Sequence, residues 1–253
     1  MTNPFIRKLE RRFSLSEAER GALLQASTKV RLVPSHEDLI LEGDDPDHVH
    51  LIQKGFACRY KILPDGGRSI MAYLVPGDFC DLHVPLLGAM DHSIATLNSC
   101  EVVQIPCETV ADLTANYPTL NRALQWAGLV DEAILRTWLV SMGRRSADKQ
   151  IAHLFCELLM RLEAVGLVTD NTYRLPITQA ELADTLGLTS VHVSRVLREL
   201  RAQNLIVLER RELTIPDVKR LKVFADFNPN YLHLEPTQRD WPSQNGSEHA
   251  HNF

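Results

Sequence analysis

The segment Ile177–Arg201 constrains this chain more than any other. It reads as two short amphipathic helices joined by a tight turn. Thr178, with Glu181 three residues on, has the form of a capping box. Leu182, Ala183 and Leu186 fall on one face at helical spacing. Gly187 supplies a residue free to take positive φ where the first helix must end. Thr189 caps the second helix, and Val193, Val196, Leu197 and Leu200 form its buried side. Ser190, Val191, Ser194, Arg195 and Arg198 are left on or near the opposite side. A helix braced by another, with small and arginine side chains at its exposed start, suits the major groove of DNA.

Two helices with a glycine turn also occur in proteins that bind nothing. The residues that follow separate the readings. Gln203–Ile215 has the pattern of two short strands around Glu209-Arg210-Arg211-Glu212. Helix-turn-helix plus hairpin makes a winged helix.

At 253 residues the chain is long enough for two cored domains. No run of about 18 apolar residues is present, which argues against a transmembrane helix. Met1–Arg12 lacks the apolar stretch of a signal peptide, so a cytoplasmic location is expected. The net charge of −5 does not advertise nucleic-acid binding, but its distribution does more. Residues 144–225 hold 13 Lys/Arg against 10 Asp/Glu, whereas residues 1–143 hold 13 against 18. The basic excess therefore lies with the helical pair. Cys58, Cys80, Cys100, Cys107 and Cys156 are scattered and lack CxxC spacing, which favours reduced thiols.

Along the chain, residues 5–28 read as helical and amphipathic, with a start at Leu15–Glu19. Residues 30–107 alternate short apolar runs with turn signals such as Pro64-Asp65-Gly66-Gly67 and Pro76-Gly77-Asp78, the mark of an antiparallel sandwich or barrel. From Tyr117 to about Met142 the pattern is helical. Leu120, Ala123, Ala127, Val130 and Ile134 alternate spacings of three and four, a heptad-like seam that could face a second copy or the helix's own domain. Gly143–Ser146 reads as a hinge, and a further helix runs to about Glu163. The tail after Asn228 is polar, and its end is expected to be disordered.

In this order of parts, the motif Ile177–Ile206 and the short sequences Glu42-Gly43-Asp44, Gly55 and Pro76-Gly77-Asp78-Phe79 together resemble the Crp/Fnr family of bacterial transcription regulators. The resemblance covers about residues 10–225. It implies an α+β chain: an N-terminal antiparallel β jelly-roll barrel of the cyclic-nucleotide-binding kind (1–115), a long dimerisation helix (116–143), a C-terminal winged helix (144–225) and a tail (226–253). It also implies a sequence-specific, dimeric DNA-binding regulator with no catalytic step. Its expected partners are near-palindromic double-stranded DNA, RNA polymerase and an unidentified small-molecule effector, with no membrane. The alternatives are a jelly-roll metalloenzyme with an appended helical domain, and a cyclic-nucleotide-binding module that does not bind DNA.

Departures from the family pattern bear on the sensor. Counting from Gly77-Asp78-Phe79, the family's ribose-binding glutamate falls on Leu82, and its phosphate-binding arginine–serine pair on His92-Ser93. Leu82 cannot accept a ribose hydrogen bond, so cyclic AMP is not expected to bind in the usual way. Residues 1–57 contain no cysteine, so the oxygen-sensing branch's iron–sulfur cluster is not expected. Another small molecule, haem, a thiol switch or no ligand at all remain open. His48 and His50 form a His-x-His pair, but no carboxylate follows closely. They are expected to be solvent-facing barrel histidines and no metal is expected. For haem, His83 or His92 would be the ligand. On DNA, Ser190, Val191, Ser194 and Arg195 are expected at base edges, and Thr178, Gln179, Arg198, Arg210 and Arg211 at phosphates. Where the family often has glutamate, Val191 could touch a thymine methyl instead.

Overall fold

The computed structural model describes residues 3–82 and 84–235. His83 and the end of the tail lie outside the described residues. The N-terminal stretch forms two helices rather than one, because each start carries its own cap. In α1 (Pro4–Glu10) the Asn3 side chain accepts from Phe5 N at 2.9 Å, and in α2 (Glu17–Ala26) Ser16 and Glu19 form a capping box.

Seven strands follow: β1 (Val30–Val33), β2 (Asp38–Ile40), β3 (His48–Lys54), β4 (Ala57–Ile62), β5 (Arg68–Leu74), β6 (Ser93–Thr96) and β7 (Cys100–Pro106). A one-turn helix, α3 (Val84–Leu87), lies between β5 and β6. The strands form two antiparallel sheets, β1-β7-β3 and β2-β6-β4-β5. Leu51 and Val103 from the first share a buried cluster with Cys58 and Ala95 from the second, which is jelly-roll packing. No ladder closes the two sheets into a continuous barrel among the described strands. The β4–β5 turn uses Gly66 at φ 82°, and Leu63 N donates to Gly67 O at 2.8 Å.

The helix α4 (Cys107–Asn116) leads into α5 (Pro118–Arg144), with Pro118 where a first-turn proline costs no hydrogen bond. After a break at Arg145-Ser146 come α6 (Ala147–Ala164), β8 (Thr172–Arg174), α7 (Gln179–Leu186), α8 (Ser190–Ala202), β9 (Val207–Glu209), β10 (Glu212–Thr214) and α9 (Val218–Phe224). A 3-10 turn, Pro229–Leu232, closes the described chain.

Three points go beyond the sequence or against it. First, the seam Leu120, Ala123, Ala127, Val130 and Ile134 is buried by the chain itself and offers no face to a partner. Its cover comes partly from the C-terminal segment: Leu232 and Leu234 share a crevice with Val130 and Ile134. The exposed apolar stripe of α5 has the same three-and-four spacing one residue further on, at Leu135, Leu139 (72% exposed) and Met142. One residue is a rotation of about 100°. Second, the disorder expected of the tail concerned its end, which lies outside the described residues, while its beginning is packed structure: Phe227 and Leu232 are buried, and Tyr231 Oη donates to Glu157 at 2.9 Å. Third, His50 does not face solvent. It is buried, with Nδ1 2.8 Å from Asp81 Oδ2, while His48 is half-buried beside Asp47.

A buried charged network joins the two halves. Arg161 of α6 donates to Asp78 Oδ2 (2.6 Å), to Glu157 Oε1 (3.0 Å) and to Tyr73 O (2.8 Å). Asp78 also accepts from Lys8 Nζ (2.7 Å) and Val75 N (2.8 Å), and Glu157 accepts from Trp138 Nε1 (3.0 Å). Every carboxylate oxygen is therefore satisfied, the condition under which buried charge is tolerated. Burial alone would raise the Asp78 pKa, but the charges of Lys8 and Arg161 outweigh it and hold the carboxyl at about 2. Among the described residues, no helix is long and apolar enough to cross a membrane.

Candidate nucleic-acid interface

The helix pair forms as its local signals require. Gly187 ends α7 in the left-handed region (φ 63°, ψ 35°), and Thr189 caps α8 by accepting from His192 N at 3.2 Å. Val193, Val196, Leu197 and Leu200 are buried, which fixes the rotation of α8 about its axis. Val191 (81% exposed), Ser190, Arg195 and Arg198 then face solvent, with Ser194 half-buried beside them. The structure thus brings together the four residues expected at base edges. Among the described residues, the only charged group paired with Arg195 is Glu199, at 3.9 Å, too long for a hydrogen bond, so its fork of donors is available.

The wing is a two-residue hairpin. Arg210 and Arg211 both take positive φ (49° and 66°), the geometry of a tight turn usually given to Asn or Gly. Both are exposed, and β10 pairs with β8 on its other side, so the wing is one edge of a three-stranded sheet. Gln179 at the start of α7 is exposed. Thr178 is corrected: its hydroxyl accepts from Glu181 N (3.2 Å) and donates to Glu181 Oε2 (2.8 Å), and its own N–H donates to the same carboxylate (2.6 Å). Both its polar groups are used inside the cap and neither is left for a phosphate.

Sequence reasoning missed how this reading head is mounted. Tyr73 Oη on β5 lies 2.6 Å from Thr185 Oγ1 on α7, and Arg68 Nε donates to Asp184 at 2.8 Å. The first helix of the pair is therefore docked on the sensor's sheet, and α8 lies outward of it. The pairing is non-local, and nothing in local spacing marks it.

The sensor carries a cavity of about 160 Å³ between the Gly77–Leu82 segment, Met90–His92 and α5. Leu82 and His92 line it. Ser93 does not: its buried hydroxyl accepts from Glu42 N at 2.9 Å. Arg59 crosses the cavity wall, donating to Phe79 O, Cys80 O and Asp131 at 2.9–3.1 Å. It was missed because a lone arginine on a strand carries no motif. Asp81, Asp91, Asp131 and Glu132 also line the cavity, against Lys8 and Arg59 as the lining cations. Burial pushes the Cys58 thiol up to about 12 and the Cys80 thiol well above its ordinary value, so neither is a ready thiolate. Among the described residues, no group of three His, Cys, Asp or Glu is placed to hold a metal.

Residues 149–224 match the Crp-like helix-turn-helix domain, and residues 30–117 match the cyclic nucleotide-binding domain. The transcriptional activator protein FnrL of Cereibacter sphaeroides is 30% identical over 210 residues, 81% of this chain and 84% of the relative. The chain belongs to the Crp/Fnr family of transcription regulators. The nitrogen fixation regulation protein FixK of Bradyrhizobium diazoefficiens is 29% identical over 191 residues, 76% of this chain and 79% of that one. The solved structure of FixK2 from Bradyrhizobium japonicum shares the fold, with a TM-score of 0.69, 22% identity and coverage of 77% of this chain and 96% of that one. This Crp/Fnr protein is accordingly a DNA-binding transcription regulator, a sensory jelly roll followed by a winged helix.

Proposed function

We propose that this regulator reads a near-palindromic DNA site as a homodimer, with α8 in the major groove and the wing against the flanking backbone. The observation that carries this is the outward face of α8, where Ser190, Val191, Ser194 and Arg195 stand together and Arg195 has only a loose, exposed pairing with Glu199 among the described residues. Arg195 pairs with guanine O6 and N7, Val191 meets a thymine methyl, and Gln179, Arg198, Arg210 and Arg211 meet phosphates. Contact with RNA polymerase and a cytoplasmic location follow from that role, and no catalytic step is part of it. Arg195→Ala is expected to cost about 1–3 kcal/mol of specific binding and to relax preference at one G·C pair. A bound-site motif unchanged in the variant would remove Arg195 from base reading.

The second half of this reading concerns the sensor. Among the described residues, four carboxylates and two cations line its cavity, an environment that disfavours a phosphate, and Ser93 is turned away from it. Leu82 offers nothing to a ribose hydroxyl. The expected result of calorimetry with cyclic AMP at neutral pH is no saturable heat. Stoichiometric micromolar binding would overturn it.

A further inference from the structure

Arg68 and Tyr73 both hold α7 from β5, although they stand five residues apart. In a regular strand an odd separation puts two side chains on opposite faces. The register of β4 against β5 removes the conflict. Cys58 pairs with Tyr73 and Arg59 with Ala72, but Tyr60 then pairs with Ile70, so Met71 is an extra residue. This β-bulge turns the rest of β5 over, and Arg68, opposite Ile62, joins the face of Cys58, Tyr60 and Tyr73. Arg68 Cζ accordingly lies 6.0 Å from the centre of the Tyr60 ring. Arg59, between Cys58 and Tyr60 and so on the other face, reaches the sensor cavity. Tyr73 also ties two helices of the C-terminal half to the sheet. Its carbonyl accepts from Arg161 of α6 at 2.8 Å, and its buried hydroxyl donates to Glu181 O of α7 at 3.2 Å.

We propose that Arg68 and Tyr73 are positioning residues for DNA binding: they lock the winged helix in one orientation, so that two copies match the spacing of two half-sites. This role rests on the homodimer proposed above. Docking leaves Val191 on α8 81% exposed, so it does not cover the reading face, and what it fixes is direction. Attachment through Arg161 alone would let the winged helix pivot about α6. The second attachment, on α7, removes that freedom before DNA arrives, so less is lost on binding. Spacing is the property this controls. One base pair added between half-sites turns the second by about 35°. A locked pair of heads rejects that change, whereas a loose pair follows it.

The test is fluorescence anisotropy with the full chain on three duplexes: a palindromic site selected from random DNA by the wild-type chain, the same site with one base pair added at its centre, and its single half-site. Arg68→Asp combined with Tyr73→Phe is expected to bind the palindrome roughly tenfold more weakly. It should bind the half-site as wild type does and lose most of the preference for the native spacing. Adding Asp184→Arg, which reverses the pair with Arg68→Asp, should restore that preference, a rescue that a misfolded variant would not show. Three results each overturn the positioning role alone: a spacing preference kept in the Arg68/Tyr73 variant, tighter palindrome binding by it, or an equal loss on the half-site. A wild-type chain that binds half-site and palindrome equally would overturn the homodimer, and the positioning role with it.

Discussion

Arg161→Met is expected to lower the unfolding free energy by about 3–5 kcal/mol. The variant keeps most of the apolar stem but removes the cation from between Asp78 and Glu157, both buried. Asp78 retains Lys8, whereas Glu157 keeps only the neutral donors Trp138 and Tyr231. An uncompensated buried carboxylate is the costly outcome, and it exceeds what the ion pair itself contributes. Urea titration would read the loss as a lower midpoint at unchanged slope. Acid adds a signature. In the wild type the folded Asp78 pKa lies below its ordinary 3.8, so the unfolded chain takes up its proton first. That contribution is present above about pH 3.8 and is lost as pH falls toward 2. In the variant, Glu157 can protonate in the folded state, so the gap between the two proteins should narrow as pH falls. A loss under about 1 kcal/mol would mean the network is incidental to the junction.

The second large effect concerns assembly. Leu135→Asp with Leu139→Asp is expected to give a folded monomer that no longer binds a palindromic site. Both residues are exposed within one chain, so placing charge there costs the monomer little, while in a two-fold contact it sets like charges face to face. Val130→Asp with Ile134→Asp should behave differently, because those side chains are buried in the chain's own core and their replacement should unfold it. Sedimentation and circular dichroism on the two double variants separate the cases. A dimer surviving the Leu135/Leu139 change would place the interface off this stripe.

The parts that could be read from sequence are those whose signals are local. Thr178 and Glu181, Gly187, Thr189 and the apolar spacing of α8 all act within a turn or two of where they stand, and the hairpin turns of the jelly roll are of the same kind. What escaped needed distant partners. The covering of Val130 and Ile134 depends on Leu232 and Leu234, far along the chain, so α5 showed two apolar sides and no means of choosing between them. Glu157 and Arg161, four apart on a helix, have the look of a solvated surface pair until Asp78 is brought against them. His50 finds Asp81, and Ser93 finds Glu42, only across the jelly roll. Thr178 shows the complementary limit: it was rightly seen as a cap, yet the cap consumes the polar groups assigned to DNA.

Arg12 on the N-terminal segment donates to His233 O and Glu235 O, and the first of these contacts spans 221 residues. With Leu232 and Leu234 lying against α5, the last described segment is a strap over the sensor's own helix. Folding order follows from this. During synthesis the apolar flank of α5 emerges long before the residues that cover it, so the sensor half waits, incompletely closed, until the DNA-reading half and the strap have left the ribosome. A fragment that stops after α5 would leave Val130 and Ile134 uncovered on the side that Leu232 and Leu234 close, and its ready outcome is aggregation or capture of a strap from an intact neighbour.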